Sequence, residues 1–251
     1  MNDQEQPADW DRQWLGQPLN LEGPAEEART PRWRAQEEYV RELFGGFDGL
    51  RVVEIGAGRG TNAALYAQRG ARVTLFDTSD VALEQARELF DALGIAAEYV
   101  KGDAFALPEA MRDSFDVSMS FGLCEHFLGA RRLGIVAAHL EFLRPGGVAF
   151  LGVPNRWAPV YRLWVGTLKR TGSWPLGTEV PFSARELERL VRDAGGEPLP
   201  RRYGSFIAST VNHGVNQLLF KLGRPGLVIP QRRVPVLDRL AYELLVPARR
   251  L

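Results

Sequence analysis

The sequence predicts an α/β protein: a mostly parallel sheet with helices on both faces. Two observations carry this. From residue 51 onward, short apolar runs alternate with longer stretches of helical periodicity, closed by Gly70, by Gly94 and by Pro145-Gly146-Gly147. The first apolar run also leads directly into a glycine-rich turn at the start of a helix, the junction where α/β sheets bind their ligands.

The elements follow in order. Residues 1–30 are rich in Gln, Glu, Pro and Ala, with Trp10 and Trp14 four apart. They read either as a flexible tail or as a short helix that docks one face on the body. Residues 31–46 read as a helix stopped by Gly45-Gly46. Strands are expected at 51–55, 72–76, 96–100, 115–120 and 148–153, and helices at 60–69, 79–93 and 130–143. The rhythm breaks over 154–182, where Trp157, Tyr161, Trp164 and Trp174 mix with Arg156, Arg162, Lys169 and Arg170. Ser183-Ala184-Arg185-Glu186 then reads as a capping box opening a helix to Ala194. A sixth strand near 198–203 contains Pro198 and Pro200, which place it at an edge. Residues 242–246 are the seventh, after a second insertion over 204–236. The organisation is therefore a tail with cap helices over 1–46 and one domain over 47–251, interrupted by insertions at about 154–182 and 204–236.

Composition bounds the function. Lys plus Arg equals Asp plus Glu at 31 each, so no global charge points to nucleic acid. The segment 221–250 is locally basic, with six arginines against Asp238 and Glu243. Cys124 is the one cysteine, which excludes an intrachain disulfide and a cysteine-rich metal site. Three scattered histidines make no metal site either, so no metal is expected. The first eleven residues lack the basic start and apolar stretch of a signal peptide, and a reducing cytoplasmic location is expected. No apolar run reaches the roughly 18 residues of a membrane span. Peripheral contact through the aromatic and basic insertion stays open beside its reading as a lid over a substrate, or as a packed subdomain with solvated arginines.

Chemistry concentrates at the predicted carboxyl ends of the strands. The turn Glu54-Ile55-Gly56-Ala57-Gly58-Arg59-Gly60 lets a ligand approach backbone closely. Asp77 ends the second strand, where a carboxylate can accept two hydrogen bonds from a ribose diol. A dinucleotide site shares these features, but the spacing here is Gly-x-Gly-x-Gly, and Glu54 would repel a pyrophosphate. The same carboxylate suits a ligand bearing an ammonium and a sulfonium, or it braces the loop backbone, or both. Asp103 follows the third strand, able to accept from an adenine amino group or to sit in a solvated turn. The fourth strand ends in Phe121-Gly122-Leu123-Cys124-Glu125-His126. Four independent positions thus converge on one crevice.

In this order and spacing the chain resembles the class I S-adenosylmethionine (SAM)-dependent methyltransferases, especially their small-molecule type 11/12 group, over about residues 40–200. The motifs that carry it are Glu54 to Gly60, Asp77, Gly102-Asp103-Ala104, Phe115-Asp116-Val117, Glu125-His126 and Leu143-Arg144-Pro145-Gly146-Gly147. The resemblance implies a Rossmann-like seven-stranded sheet of order 3-2-1-4-5-7-6 with its last strand antiparallel. It implies SAM as cofactor, with Glu54, Gly56, Ala57 and Gly58 on the methionine side and Asp77 on the ribose. Thr78 would lie over the adenosine, Asp103 and Ala104 would flank its adenine, and Phe121 is a further cofactor-binding position. The implied reaction is methyl transfer to an oxygen or nitrogen of a small, partly apolar acceptor, whose pocket the insertions would build. A non-catalytic SAM-binding partner or regulatory subunit is the alternative. His126 is the candidate catalytic base; its other reading is that it packs the loop after the fourth strand.

Overall fold

The computed structural model describes residues 9–251; the first eight residues of the expected tail lie outside them. Three helices precede the sheet: α1 (Trp10–Trp14), α2 (Gly23–Glu27) and α3 (Pro31–Phe44). The docked-helix reading of the tryptophan pair holds, because α1 lies against the body. The third helix starts where Thr30 Oγ1 accepts from Trp33 N–H with Pro31 at the first helical position, and it stops at Gly45 in the left-handed region.

The alternating unit follows as β1 (Arg51–Ile55), α4 (Thr61–Ala67), β2 (Arg72–Asp77), α5 (Asp80–Leu93), β3 (Glu98–Lys101), β4 (Phe115–Phe121), α6 (Gly129–Phe142) and β5 (Leu143–Pro154). After these come α7 (Pro159–Arg170), α8 (Ala184–Asp193), β6 (Gly196–Pro198), β7 (Arg202–Tyr203), α9 (Phe206–Thr210), α10 (Asn216–Lys221), α11 (Pro235–Asp238) and β8 (Glu243–Arg250). The sheet runs β3-β2-β1-β4-β5-β8-β6, with β7 also paired to β8. All pairs up to β4–β5 are parallel, and β8 is antiparallel to β5, β6 and β7. Counting the two short edge pieces as one interrupted strand recovers the expected seven-strand order.

That interruption has a local cause. The predicted sixth strand spans 198–203, but Pro200 has no N–H to continue the ladder, so pairing occurs on either side of it. Another difference concerns Pro145-Gly146-Gly147, read in the sequence as a helix stop. The sixth helix already ends at Phe142, and the three residues bulge from the start of β5, shifting its register on β4. The last strand is longer than expected, reaching Arg250.

Alternation along the strands divides the core. Val52 joins a cluster with Trp33, Tyr66 and Phe90 from α3, α4 and α5; Val53 and Ile55 join one with Ile135, Val136 and Leu187 from α6 and α8. Each of these large side chains contributes about 1.5–3 kcal/mol by leaving water. With both faces covered, the ends of the strands remain as the place for a ligand.

Candidate active site

A cavity of about 910 Å³ opens at the carboxyl ends of β1, β2 and β4. All ten residues singled out in the sequence line it: Glu54, Gly56, Ala57, Gly58, Asp77, Thr78, Asp103, Ala104, Phe121 and His126. They reach it from five separate segments, which the parallel crossovers bring to one edge.

The loop after β1 is built by its neighbours' carboxylates. Asp77 Oδ2 accepts from Gly58 N–H and Oδ1 from Ser79 N–H, each at 2.9 Å. Glu54 Oε2 accepts from Ala63 N–H at 2.9 Å in the first turn of α4. Gly56, Gly58 and Gly60 all have positive φ, which a β-carbon disfavours. Burial raises both acids, Glu54 to about 8, although the hydrogen bonds oppose the shift. Asp103 is exposed and uses Oδ1 to cap the turn Ala104–Ala106 through Phe105 N–H. Thr78 is exposed beside Asp77.

The first helix closes this end. Trp14 ring carbons lie 2.7 and 2.8 Å from where a β-carbon on Gly58 would sit. Gln85 Nε2 donates to Trp14 O at 2.6 Å, Arg59 Nη2 to Gln17 Oε1 at 3.1 Å, and Ser79 Oγ to Asp11 Oδ1 at 2.5 Å. These ties explain why an otherwise isolated five-residue helix is ordered there.

A second group of polar side chains sits around His126, itself half-buried. Its Nδ1–H donates to Thr178 O at 2.7 Å, and the Trp10 ring meets the imidazole edge-on at 4.9 Å. A carbonyl can only accept, so the proton is on Nδ1 and Nε2 keeps its lone pair. Burial lowers the ring's pKa, leaving it neutral at physiological pH. Next to it Glu125 is buried, and its Oε2 has no hydrogen-bond partner among the described residues. Glu179, also buried, comes from the first insertion, where Val180 N–H donates to Glu125 O at 2.9 Å. Burial and mutual repulsion raise Glu125 to about 8, and burial raises Glu179 to about 7. Tyr242 and Arg32 complete this end; Arg32 pairs with Glu27 and Glu243 and covers the Phe121 ring at 4.6 Å. Buried acids of raised pKa crowded into a cleft are what a chemical site collects.

Sequence reading missed Trp10, Trp14, Arg32, Glu179 and Tyr242 as site residues. The tryptophan spacing was the one available signal; Glu179 and Tyr242 stand in segments without regular periodicity. The first insertion reaches the cavity through Leu176 and Glu179, beyond α7. The helix itself packs through Tyr161 and Trp164 on His213, in a π-helical turn (Val211–Val215) of the second insertion. The remaining candidates are structural. Cys124 is fully buried, with its thiol pushed up to about 12, and so is inert. His139 is fully buried between Ile135 O and Ser120 Oγ, at 2.7 and 2.8 Å, and is pushed down to about 4.

Comparison with known proteins places this geometry among relatives. Residues 52–147 match the model of a methyltransferase domain family. The chain is 30% identical over 199 residues to the ubiquinone biosynthesis O-methyltransferase of Dinoroseobacter shibae, covering 77% of this chain and 79% of that one. Against the enzyme of the same name from Shewanella halifaxensis it is 30% identical over 118 residues, about half the length of either chain (47% and 49%). In fold it is similar to magnesium protoporphyrin IX methyltransferase from Synechocystis PCC 6803, solved with bound S-adenosylhomocysteine (SAH). The TM-score is 0.60 at 14% identity, covering 96% of this chain and 93% of that one.

Proposed function

The chain belongs to the class I SAM-dependent methyltransferases, and from that premise we propose that it methylates a small, partly apolar acceptor, on a hydroxyl oxygen in preference to a nitrogen. The relatives named as O-methyltransferases support the choice of oxygen.

The loop end of the cavity fits the cofactor. A ligand ammonium beside Glu54 would draw that acid back toward its ionised form. Asp77 spends one acceptor site per oxygen on the loop and retains others for the ribose hydroxyls. Thr78, Asp103, Ala104 and Phe121 are assigned to the adenosine, and Gly56, Ala57 and Gly58 to the methionine end. SAM, when bound, supplies a methyl group on a sulfonium, already activated for displacement. What remains for the protein is alignment of the acceptor and removal of its proton.

The acceptor end supplies both. The single observation that carries the reading is the buried Glu125 Oε2 without a donor among the described residues, close enough to the buried Glu179 to be repelled by it. A hydroxyl acceptor provides the missing donor, and leaving that oxygen unsatisfied costs roughly 1–3 kcal/mol. In the neutral His126, its tautomer set by the Thr178 carbonyl, Nε2 carries the lone pair that would take the hydroxyl proton as the methyl is transferred. Trp10, Phe105, Phe127 and Leu176 give the apolar lining.

The test is SAH formation with a panel of phenolic acceptors. His126→Ala should lower turnover about 10²–10⁴-fold with SAM affinity little changed. Wild-type turnover should be flat near neutral pH and fall as pH drops through the lowered imidazole pKa, because the base must be neutral. Glu179→Gln should raise the acceptor KM more than it lowers kcat. Tight SAM binding without SAH production from any acceptor would favour the non-catalytic partner instead.

A further inference from the structure

Most of the first insertion, up to the residue before Glu179, and the whole of the second carry an unusual charge pattern. Residues 155–178 and 204–237 contain no aspartate or glutamate, although at the chain's average frequency they would hold about seven. All 31 acids therefore lie elsewhere, and a chain of zero net charge becomes a cationic appendage on an acidic body. Arg162, Arg170, Lys221, Arg224 and Arg232 are exposed and form no ion pair among the described residues.

The same stretches hold exposed apolar side chains. Of the 17 large apolar residues exposed among the described residues, 11 lie in them. Leu163, Leu218, Phe220, Leu222, Val228 and Val236 are each more than half exposed, and Val228 is 95% exposed. Scattered single leucines are ordinary on a protein surface, but a concentration of this kind marks an interaction site. The two insertions also pack on each other: the rings of Tyr161 and Trp164 in the first meet His213 of the second edge-on and tilted, at 5.4 and 5.5 Å.

We propose that this appendage docks on an anionic membrane surface. The mixture of groups selects the partner. A neutral apolar groove would bury the side chains but strand the cations without counter-charge. A lipid headgroup layer takes both together: leucine and phenylalanine enter the acyl boundary while arginine and lysine stay level with the phosphates. The contact is peripheral, since no helix among the described residues is long and apolar enough to cross a bilayer. Tyr242 lies against Tyr161 and His213 and also lines the cavity, as does Leu176, so the inner side of the appendage borders the site. Resting on the proposed function, the partly apolar acceptor is then drawn from the bilayer.

Co-sedimentation tests this, using the full chain with vesicles of phosphatidylcholine alone or with about 30% phosphatidylglycerol. Anionic vesicles should bind at least about tenfold more strongly than neutral ones, and less so in high salt. The double reversal Arg224→Glu, Arg232→Glu should weaken binding about tenfold, and so should Phe220→Ser with Leu222→Ser. Titration calorimetry with SAM on the same samples should give wild-type affinity, which separates lost docking from misfolding and from failure of the methyltransferase reading. Absent binding, equal binding to both vesicle types, or full binding by the variants overturns the proposal. Concentration-dependent dimers that the same substitutions abolish, with vesicles unbound, also overturn it and assign the surface to a second copy of the chain.

Discussion

Gly58 shows how tightly a single position is held. Its φ of 52° is disfavoured for any residue with a β-carbon, and the Trp14 ring occupies the space that carbon would need. Gly58→Val should therefore nearly abolish SAM binding, both by distorting the loop and by displacing the cap, as calorimetry on a variant shown to fold by circular dichroism can establish. Tight SAM binding by the folded variant would remove the loop from the site. Residues such as Gly58, Asp77 and Glu54 were legible because their neighbours in sequence state their setting: a strand before, a helix after, an acid ending the next strand. Glu179 was not, since its significance comes from Glu125, 54 residues away and buried against the same segment. A lone glutamate among prolines and glycines has no local signature of burial.

Elements were legible where periodicity and caps agreed. The capping box at Ser183 forms as read, with Glu186 N–H donating to Ser183 Oγ and Ser183 N–H to Glu186 Oε2, and α8 begins there. The first helix could not be decided from sequence, because five residues do not hold a helix without a partner, and its partners are Gln85, Arg59 and Ser79. Those ties have a kinetic consequence. Gln85→Ala removes the donor to Trp14 O and should loosen the cap, raising the SAM dissociation rate several-fold with little change in thermal midpoint; stopped-flow release of a fluorescent SAM analogue measures it. An unaltered release rate would show that α1 does not gate the cofactor.

For the molecule as a whole, the buried acids set a pH dependence. Glu54 and Glu125 titrate near 8 and Glu179 near 7 in the folded chain, against 4.5 in the unfolded one. The folded state then holds protons that the unfolded state has released, so stability falls as pH rises through this window. His139 acts oppositely: lowered to about 4, it loses stability as pH falls below its unfolded value of 6.5. The two effects oppose each other between 4.5 and 6.5, leaving a net decline in thermal midpoint from about pH 6.5 to 8 in the free protein. Glu179→Gln should shallow that decline, and saturating SAM should shallow it further through Glu54. A midpoint that rises over this range would contradict the burial assigned to these acids. At this scale the strand order followed from the family resemblance, and the structure has it once the edge strand is allowed to break at Pro200. The mutual packing of the two insertions was not legible, because aromatic contacts such as Tyr161 with His213 join residues 52 apart that share no motif.

The most direct test of the central claim, that this cavity binds SAM with Asp77 holding the ribose, is calorimetric titration of SAM into the wild type, Asp77→Ala and Asp77→Asn. One site is predicted in the wild type. Asp77→Ala should weaken it by about 1.5–3 kcal/mol, and Asp77→Asn, which keeps one acceptor oxygen for the loop, by less. Unchanged affinity in a folded Asp77→Ala variant, or no binding in the wild type, would contradict the account.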